Sequence, residues 1–121
     1  MKVIYENEVK ALGALVEEFK GTGMFVMFGE GAPDTLSDFC YTVSVNPIDG
    51  EIKPGQTFEI DGEPFTITAV GEEAPHTLAG LGHCTVNLNG NTVADLPGTI
   101  CLEAKPMPDL HVGTKIRIIE N

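Results

Sequence analysis

The chain has 121 residues, of which 42% are hydrophobic, and it carries 18 acidic and 7 basic residues for a formal net charge of −11 at pH 7. The hydrophobic share supports a folded core and argues against intrinsic disorder, and the length suits a single domain spanning residues 1–121. Such an acidic surface repels nucleic acid and anionic membranes, and it favours a protein partner with a basic face.

Short alternating segments predict an all-β fold. In chain order the eight predicted strands are KVIYENEVKAL (2–12), MFVMF (24–28), CYTVSV (40–45), TFEI (57–60), PFTITAV (64–70), HCTVNL (83–88), TICLEA (99–104) and TKIRII (114–119). Asp61-Gly62 between two alternating segments predicts a tight hairpin, and Asn89-Gly90 predicts a second tight turn. Strands separated in this way indicate an antiparallel barrel or sandwich.

The remaining local signals are short helical turns and one apolar strand. Residues 13–19 predict two helical turns, and Asp34 after Pro33 predicts the cap of one more. A further turn is predicted over residues 76–81, closed by Gly82. The strand MFVMF has no polar face, so it is predicted to be central, with layers on both sides.

The cysteines and the N-terminus predict a cytoplasmic protein. Cys40, Cys84 and Cys101 are odd in number and widely spaced, which favours a reducing compartment over a disulfide framework. The opening MKVIYENEVK reaches acidic residues before any apolar run, unlike a signal peptide. No apolar run approaches the roughly 20 residues that a membrane-spanning helix needs, so no membrane insertion is expected.

His83 is the histidine whose surroundings suggest chemistry. It follows Gly80-Leu81-Gly82 at the mouth of a predicted strand, where glycines let the backbone approach a ligand and turn N–H groups outward. Gly80 and Gly82 would then cradle a phosphoryl oxygen, while a neutral imidazole attacks phosphorus. The alternative is a strand-end histidine that bonds the backbone for structural reasons, and spacing alone favours this structural role.

Other chemistries are less well supported by the sequence. His111 lies in a turn and is interpreted as a surface loop residue, and His76 is interpreted as the cap or first residue of a short helix. No metal site is predicted, because the histidine and cysteine spacing matches no compact zinc pattern and the adjacent residues His83 and Cys84 point to opposite faces of a strand. Cys40 and Cys101 sit in apolar strands, where burial raises a thiol pKa and makes it a poor nucleophile.

Six short motifs together resemble one known family. They are VIY (3–5), EGAP (30–33), PG (54–55), TAVG (68–71), LGHCT (81–85) and LPGT (96–99). Their order and separation resemble the glucitol/sorbitol-specific IIA component of the bacterial sugar phosphotransferase system, over essentially the whole chain. The resemblance implies a small closed antiparallel β-barrel of about eight strands, which agrees with the strand pattern, and one or two short helical turns are expected beside it.

The resemblance also implies a function. Proteins of that family accept a phosphoryl group on histidine from the carrier HPr and pass it to a cysteine of the IIB unit, and the IIB and IIC permease units deliver sorbitol as its phosphate. No cofactor is expected. Leu78 and Leu81 are candidates for an apolar rim that excludes water from the phosphohistidine, and the alternative is that both are core residues.

One departure from the family pattern keeps a rival hypothesis open. Some relatives carry histidine in the strand corresponding to residues 41–45, and one such histidine is assigned as the phosphorylated residue, whereas this chain reads YTVSV there. Since LGH is shared with the family, the resemblance makes His83 the remaining acceptor. The rival is a non-catalytic acidic β-barrel that binds or regulates a partner, and a third interpretation is a homodimer formed through apolar strands.

Overall fold

The computed structural model describes residues 2–31 and 37–120, and its main feature is one strongly curved sheet. Two helical elements lie wholly within these ranges, a 3-10 helix, Val16–Thr22, and the α-helix α1, Ala74–Leu81. The strands are β1 (Lys2–Glu8), β2 (Ala11–Leu12), β3 (Met24–Gly29), β4 (Tyr41–Val43), β5 (Thr57–Ile60), β6 (Glu63–Val70), β7 (Cys84–Asn87), β8 (Thr99–Leu102) and β9 (Lys115–Glu120). The all-β class is therefore confirmed.

The predicted closed barrel is wrong, because the sheet is open. Its nine strands run in the order β1-β9-β5-β6-β8-β7-β3-β4-β2, with β1 and β2 at the two edges. The segment predicted as one first strand divides between these edges. At the division, the Val9 N–H donates to the Thr114 carbonyl at 2.9 Å, and the Lys10 N–H donates to the Thr42 carbonyl at 2.7 Å. Consecutive residues thus bond to opposite ends of the sheet, which accounts for nine strands instead of eight.

The sheet is also less uniformly antiparallel than predicted. β3 pairs with β4 in parallel, and β7 pairs with β8 in parallel, while the other strand pairs are antiparallel. The connections after β3 and β7 are both long enough to return the chain to its starting end, as a parallel pair requires. The Asn89-Gly90 turn therefore opens such a connection, with the Asn91 N–H donating to the Asn89 Oδ1 atom at 2.9 Å.

The predicted Asp61-Gly62 hairpin is confirmed. It joins β5 to β6, with Ile60 opposite Glu63. Asp61 has φ of 50° and Gly62 has φ of 83°, and positive φ at both central residues is the geometry of a type I′ turn. The two-residue turn fixes the register that places Phe58 beside Phe65, both fully buried.

The helical predictions have mixed outcomes. The two turns predicted over residues 13–19 are present as the 3-10 helix, displaced toward the C-terminus, and the turn predicted over residues 76–81 is α1, which begins two residues earlier. The cap predicted at Asp34 lies outside the described residues. Within the described part of the chain, no helix is long and apolar enough to cross a membrane.

One asparagine side chain holds the β1 edge against the segment after β4. The Asn7 Nδ2 atom donates to the Ser44 carbonyl at 2.7 Å and to the Tyr5 hydroxyl at 2.6 Å. Its Oδ1 atom accepts from the N–H groups of Ser44 at 3.1 Å and Glu8 at 2.8 Å. Asn7 is only 5% exposed, and these four bonds use the full capacity of its amide. The Asn7 side chain thus joins β1 to the segment after β4 in place of a ladder of backbone hydrogen bonds.

We expect Asn7→Ala to destabilise the protein by about 2 kcal/mol, because the buried partners of the amide would lose their hydrogen bonds. Urea unfolding followed by circular dichroism would measure the change. Asn46→Ala is the matched control, since Asn46 makes one exposed bond across the same gap, to the Glu6 carbonyl at 2.8 Å. Equal losses in the two variants would contradict a special role for Asn7.

Candidate functional site

His83 lies in the junction between α1 and β7. The helix ends at Gly82, whose φ of 67° is left-handed and whose N–H donates to the Leu78 carbonyl at 3.0 Å. This is the common glycine cap that stops a helix and turns the chain. The next N–H, that of His83, donates to the Thr77 carbonyl at 3.1 Å. The backbone on either side of the imidazole is therefore fixed by the helix end.

The imidazole projects from the outer face of the sheet. In the antiparallel β3–β7 pair, Met27 lies opposite Cys84, and both are fully buried. Because side chains alternate along a strand, the next pair outward, Phe28 and His83, faces away from the core. Their rings stack with centroids 4.7 Å apart and an interplanar angle of 25°. His83 is half-buried in this position, so a partner can reach the ring.

Partial burial lowers the pKa of His83 below its ordinary value of 6.5, because desolvation disfavours the charged imidazolium. The ring is therefore neutral near pH 7 and keeps one nitrogen lone pair for attack on an electrophile. Within residues 2–31 and 37–120, no group forms a hydrogen bond with either ring nitrogen. Chemically, the arrangement provides a neutral nucleophile held by stacking on one face.

We expect Phe28→Ala to raise the pKa of His83 toward its ordinary value, because the variant exposes the ring that Phe28 covers. Titration of the histidine ring carbon signals by NMR would measure the change, with Phe28→Leu as the control that keeps most of the burial. The lowered pKa of His83 also makes the stability of the protein depend on pH. As pH falls, the unfolded chain takes up a proton on this histidine before the folded protein does. The stability contributed by the neutral ring is therefore fully present above pH 6.5 and is lost as pH falls through the folded pKa. An unchanged titration in Phe28→Ala would contradict this cause.

The two glycines before His83 have different surroundings. Gly80 lies in the last turn of α1, and a Cβ there would meet nothing within 4 Å. A Cβ at Gly82 would lie 2.8 Å from the Gly29 nitrogen and 2.9 Å from the Gly29 Cα. Gly82 thus permits close approach to β3, and its N–H is already bonded to Leu78. This geometry does not favour the predicted phosphoryl cradle, because both amides belong to the helix end.

The apolar rim predicted for His83 is half present. Leu78 is fully buried in the core, whereas Leu81 is 51% exposed two residues before the imidazole. Val45 is a second exposed apolar side chain and lies close to Leu81. Both the Val45 Cγ2 atom and the Leu81 carbonyl oxygen lie 2.5 Å from where a Cβ at Gly29 would be. Leu81, Val45 and Phe28 therefore surround the junction, and the sequence singled out only the first of them.

The other candidate nucleophiles and ligands lie apart from this junction. His76 is exposed on α1, and His111 is exposed with its Nδ1 atom 3.0 Å from the Val112 carbonyl and its Nε2 atom 3.6 Å from an Asp61 carboxylate oxygen. Burial raises the pKa of the Cys84 thiol to about 12 and also raises the pKa values of Cys40 and Cys101. In the described ranges, no group of three or more His, Cys, Asp or Glu residues is placed to hold a metal ion.

The strand that carries histidine in some relatives offers no imidazole here. It is β4 with the two residues that follow, and Val43 is fully buried in the core. Its end nevertheless lies beside the junction, since the Ser44 carbonyl is 3.4 Å from where a Cβ at Gly82 would be. His83 is therefore the histidine that the described fold brings to this corner of the sheet.

The fold and this corner define a class, a small acidic all-β domain that displays a neutral imidazole on its outer face. The profile of one protein family, the PTS system glucitol/sorbitol-specific IIA component, matches residues 4–117. Glucitol/sorbitol-specific EIIA components of Shigella flexneri and Escherichia coli (strain K12) are each 34% identical to this chain over 109 residues. Each match covers 90% of this chain and 88% of the relative. The chain belongs to the glucitol/sorbitol-specific IIA family of the phosphotransferase system.

A solved structure supports the fold independently. The crystal structure of a PTS system IIA component from Enterococcus faecalis V583 superposes with a TM-score of 0.81, covering 96% of this chain and 100% of that one. The two sequences are 22% identical, so this likeness concerns the fold alone.

Proposed function

We propose that the protein is a phosphocarrier that accepts a phosphoryl group on His83 from HPr and passes it to a cysteine of the IIB unit for glucitol or sorbitol uptake. Family membership supports the class of activity. The single observation that carries the choice of residue is the half-buried, neutral imidazole of His83 on the outer face, stacked on Phe28. A fixed, neutral and reachable ring meets the requirements of a phosphoryl acceptor.

The chemistry is two in-line displacements. In the first, a His83 ring nitrogen forms a bond to phosphorus while the bond from phosphorus to the donor histidine nitrogen breaks, and that nitrogen keeps the electron pair. In the second, the thiolate sulfur of the IIB cysteine forms a bond to phosphorus while the bond to His83 breaks, which restores the neutral ring. Positioning and charge stabilisation provide most of the rate in such transfers.

Positive charge for this transfer has to come from the partner. The chain has a net charge of −11, and α1 directs its C-terminal end, which carries partial negative charge, toward the junction. A donor with a basic face would neutralise the phosphoryl group only while the two proteins are in contact. The attraction between the acidic protein and a basic donor also raises the association rate, which suits a carrier that forms short-lived complexes.

The direct test is incubation with phosphoenolpyruvate, the general phosphotransferase enzyme and HPr, followed by intact mass measurement at neutral and at acidic pH. We expect the mass of one phosphoryl group at neutral pH and its loss in acid, as for a phosphohistidine. The control omits HPr and should give no label. An unlabelled protein in the complete mixture would reject the proposal.

One observation favours a second candidate, a non-catalytic binding or regulatory module. Residues 41–45 read YTVSV and contain no histidine, whereas the family resemblance implies a phosphorylated histidine in this strand in some relatives. Under this hypothesis the protein would bind HPr or a IIB domain without being labelled. Measuring that binding by isothermal titration calorimetry beside the mass experiment separates the two candidates.

A further inference from the structure

We propose that a surface groove remote from His83 docks a basic protein segment that carries a large apolar side chain. The groove has a volume of about 510 Å³ and lies between the loop of residues 91–97 and the end of β6. Its walls include Pro54, Val70, Glu72, Val93 and Asp95. We call it the acidic groove, and its proposed role is independent of phosphoryl transfer.

The loop that forms one wall is anchored at both ends. At one end, the Thr68 hydroxyl donates to the Asn91 carbonyl at 2.6 Å. At the other, the Glu73 N–H donates to the Pro97 carbonyl at 2.9 Å, and a Cβ at Gly71 would lie only 2.3 Å from that same oxygen. A wall held in this way is ordered before any partner arrives, which reduces the entropy cost of binding.

The wall presents apolar surface to solvent. Val93 is 73% exposed, and Leu96 in the same loop is 65% exposed, whereas Ala69 at the base of the groove is buried. Because Val93 is so exposed, its side chain buries little apolar surface against its own chain. Covering it with a partner's apolar side chain would release water from both surfaces, which favours association.

The charge around the groove selects a basic occupant. Glu72 and Asp95 line it, and Glu73 follows directly in the chain. Among the described residues none of these three makes an ion pair, unlike Glu6, Glu8 and Glu59 on β1 and β5. A cation of the partner therefore meets free carboxylates. A second copy of this chain fits poorly, because each copy carries 18 acidic against 7 basic residues.

The groove and His83 lie at opposite ends of α1. The bond from Glu73 to Pro97 ties the groove to the start of the helix, and His83 follows its cap. Eight helical residues span about 12 Å at 1.5 Å per residue. Binding in the groove and labelling of His83 are followed by different measurements, so the two can be tested separately.

The experiment measures fluorescence anisotropy of the labelled peptide KLRKLK on addition of the full-length protein at physiological salt. Two comparison peptides are KSRKSK, which keeps the charge without the apolar side chains, and ELDELE, which reverses the charge. The variants are Val93→Ser and Asp95→Asn. Their matched controls are Val112→Ser, since Val112 is 61% exposed on another loop, and Glu63→Gln, at an exposed carboxylate in the β5–β6 hairpin.

We expect KLRKLK to bind most tightly and Val93→Ser to weaken it about fivefold, as the loss of one partly covered side chain implies. Asp95→Asn should weaken it about threefold at the same salt. The controls and His83→Ala should leave its affinity unchanged. Equal binding of KSRKSK, equal effects of the control variants, or self-association of the protein that Val93→Ser abolishes would each overturn the proposal, while leaving the phosphocarrier proposal to its own test.

Discussion

His83→Ala is expected to reduce phosphoryl acceptance to background, a loss of at least about a hundredfold in labelling rate. The variant removes the nucleophilic nitrogen itself, and none of the described neighbours can replace it. The nearest stacked ring is that of Phe28, which has no nitrogen, and the adjacent Cys84 is buried with its pKa raised to about 12. Labelling by phosphoenolpyruvate, the general enzyme and HPr, read by intact mass over time, measures the effect.

The control variants are His76→Ala and His111→Ala, because they remove the other imidazoles of the chain one at a time. Both side chains are exposed, so neither substitution should disturb the core, and both variants should be labelled at the rate of the parent. Label that persists in His83→Ala and disappears in one of the controls would move the acceptor to that histidine. Circular dichroism of each variant checks that a lost label does not reflect unfolding.

Local structure in this chain follows from local sequence. The Asp61-Gly62 turn and the Gly82 cap both depend on the left-handed backbone that these residues tolerate, so the prediction needed no knowledge of the rest of the fold. The first strand shows where this approach fails. A bulge between Val3 and Tyr5 buries Ile4 and Tyr5 together, so a simple alternation assigns the wrong faces.

No local feature of the sequence predicts that the sheet is open. Whether its edges meet depends on how the two long parallel connections place β4 and β8, and on Asn7, which lies between two glutamates and has the sequence context of an exposed residue. Two of the four hydrogen bonds that satisfy its buried amide are exchanged with Ser44, 37 residues away. Pairing across such distances is set by the whole fold.

The role of His83 as acceptor stays a prediction, and most of the contacts around its ring could not be predicted from the sequence. The neighbouring glycines singled out His83, and the structure places its ring on the outer face beside an exposed Leu81. Phe28 could not be assigned to the site, since its contact with His83 follows from the β3–β7 register, and the strand was predicted to be covered on both sides. The structure gives Gly82 two roles that the sequence did not predict together, since it terminates the helix and permits close packing against Gly29.

Gly82→Ala and Gly80→Ala are expected to change stability in opposite directions. Alanine at position 82 has to adopt a left-handed φ of 67°, and its Cβ would overlap the Gly29 backbone at 2.8 and 2.9 Å. The left-handed strain and the forced displacement of β3 together should lower the free energy of unfolding by about 3 kcal/mol. At position 80 the Cβ would meet nothing within 4 Å, and alanine in a helix is favoured over glycine by roughly 0.5–1 kcal/mol.

Urea unfolding of the two variants beside the parent measures both changes, and the neighbouring positions serve as controls for each other. Because Gly82 sets the distance between the helix end and β3, Gly82→Ala should also separate His83 from Phe28 and slow labelling in molecules that remain folded. Gly80→Ala keeps that contact and should be labelled at the parent rate. If Gly80 instead supplies an essential N–H from a flexible backbone to the phosphoryl group, Gly80→Ala would be more stable and yet poorly labelled, which separates a cradle from a helix end.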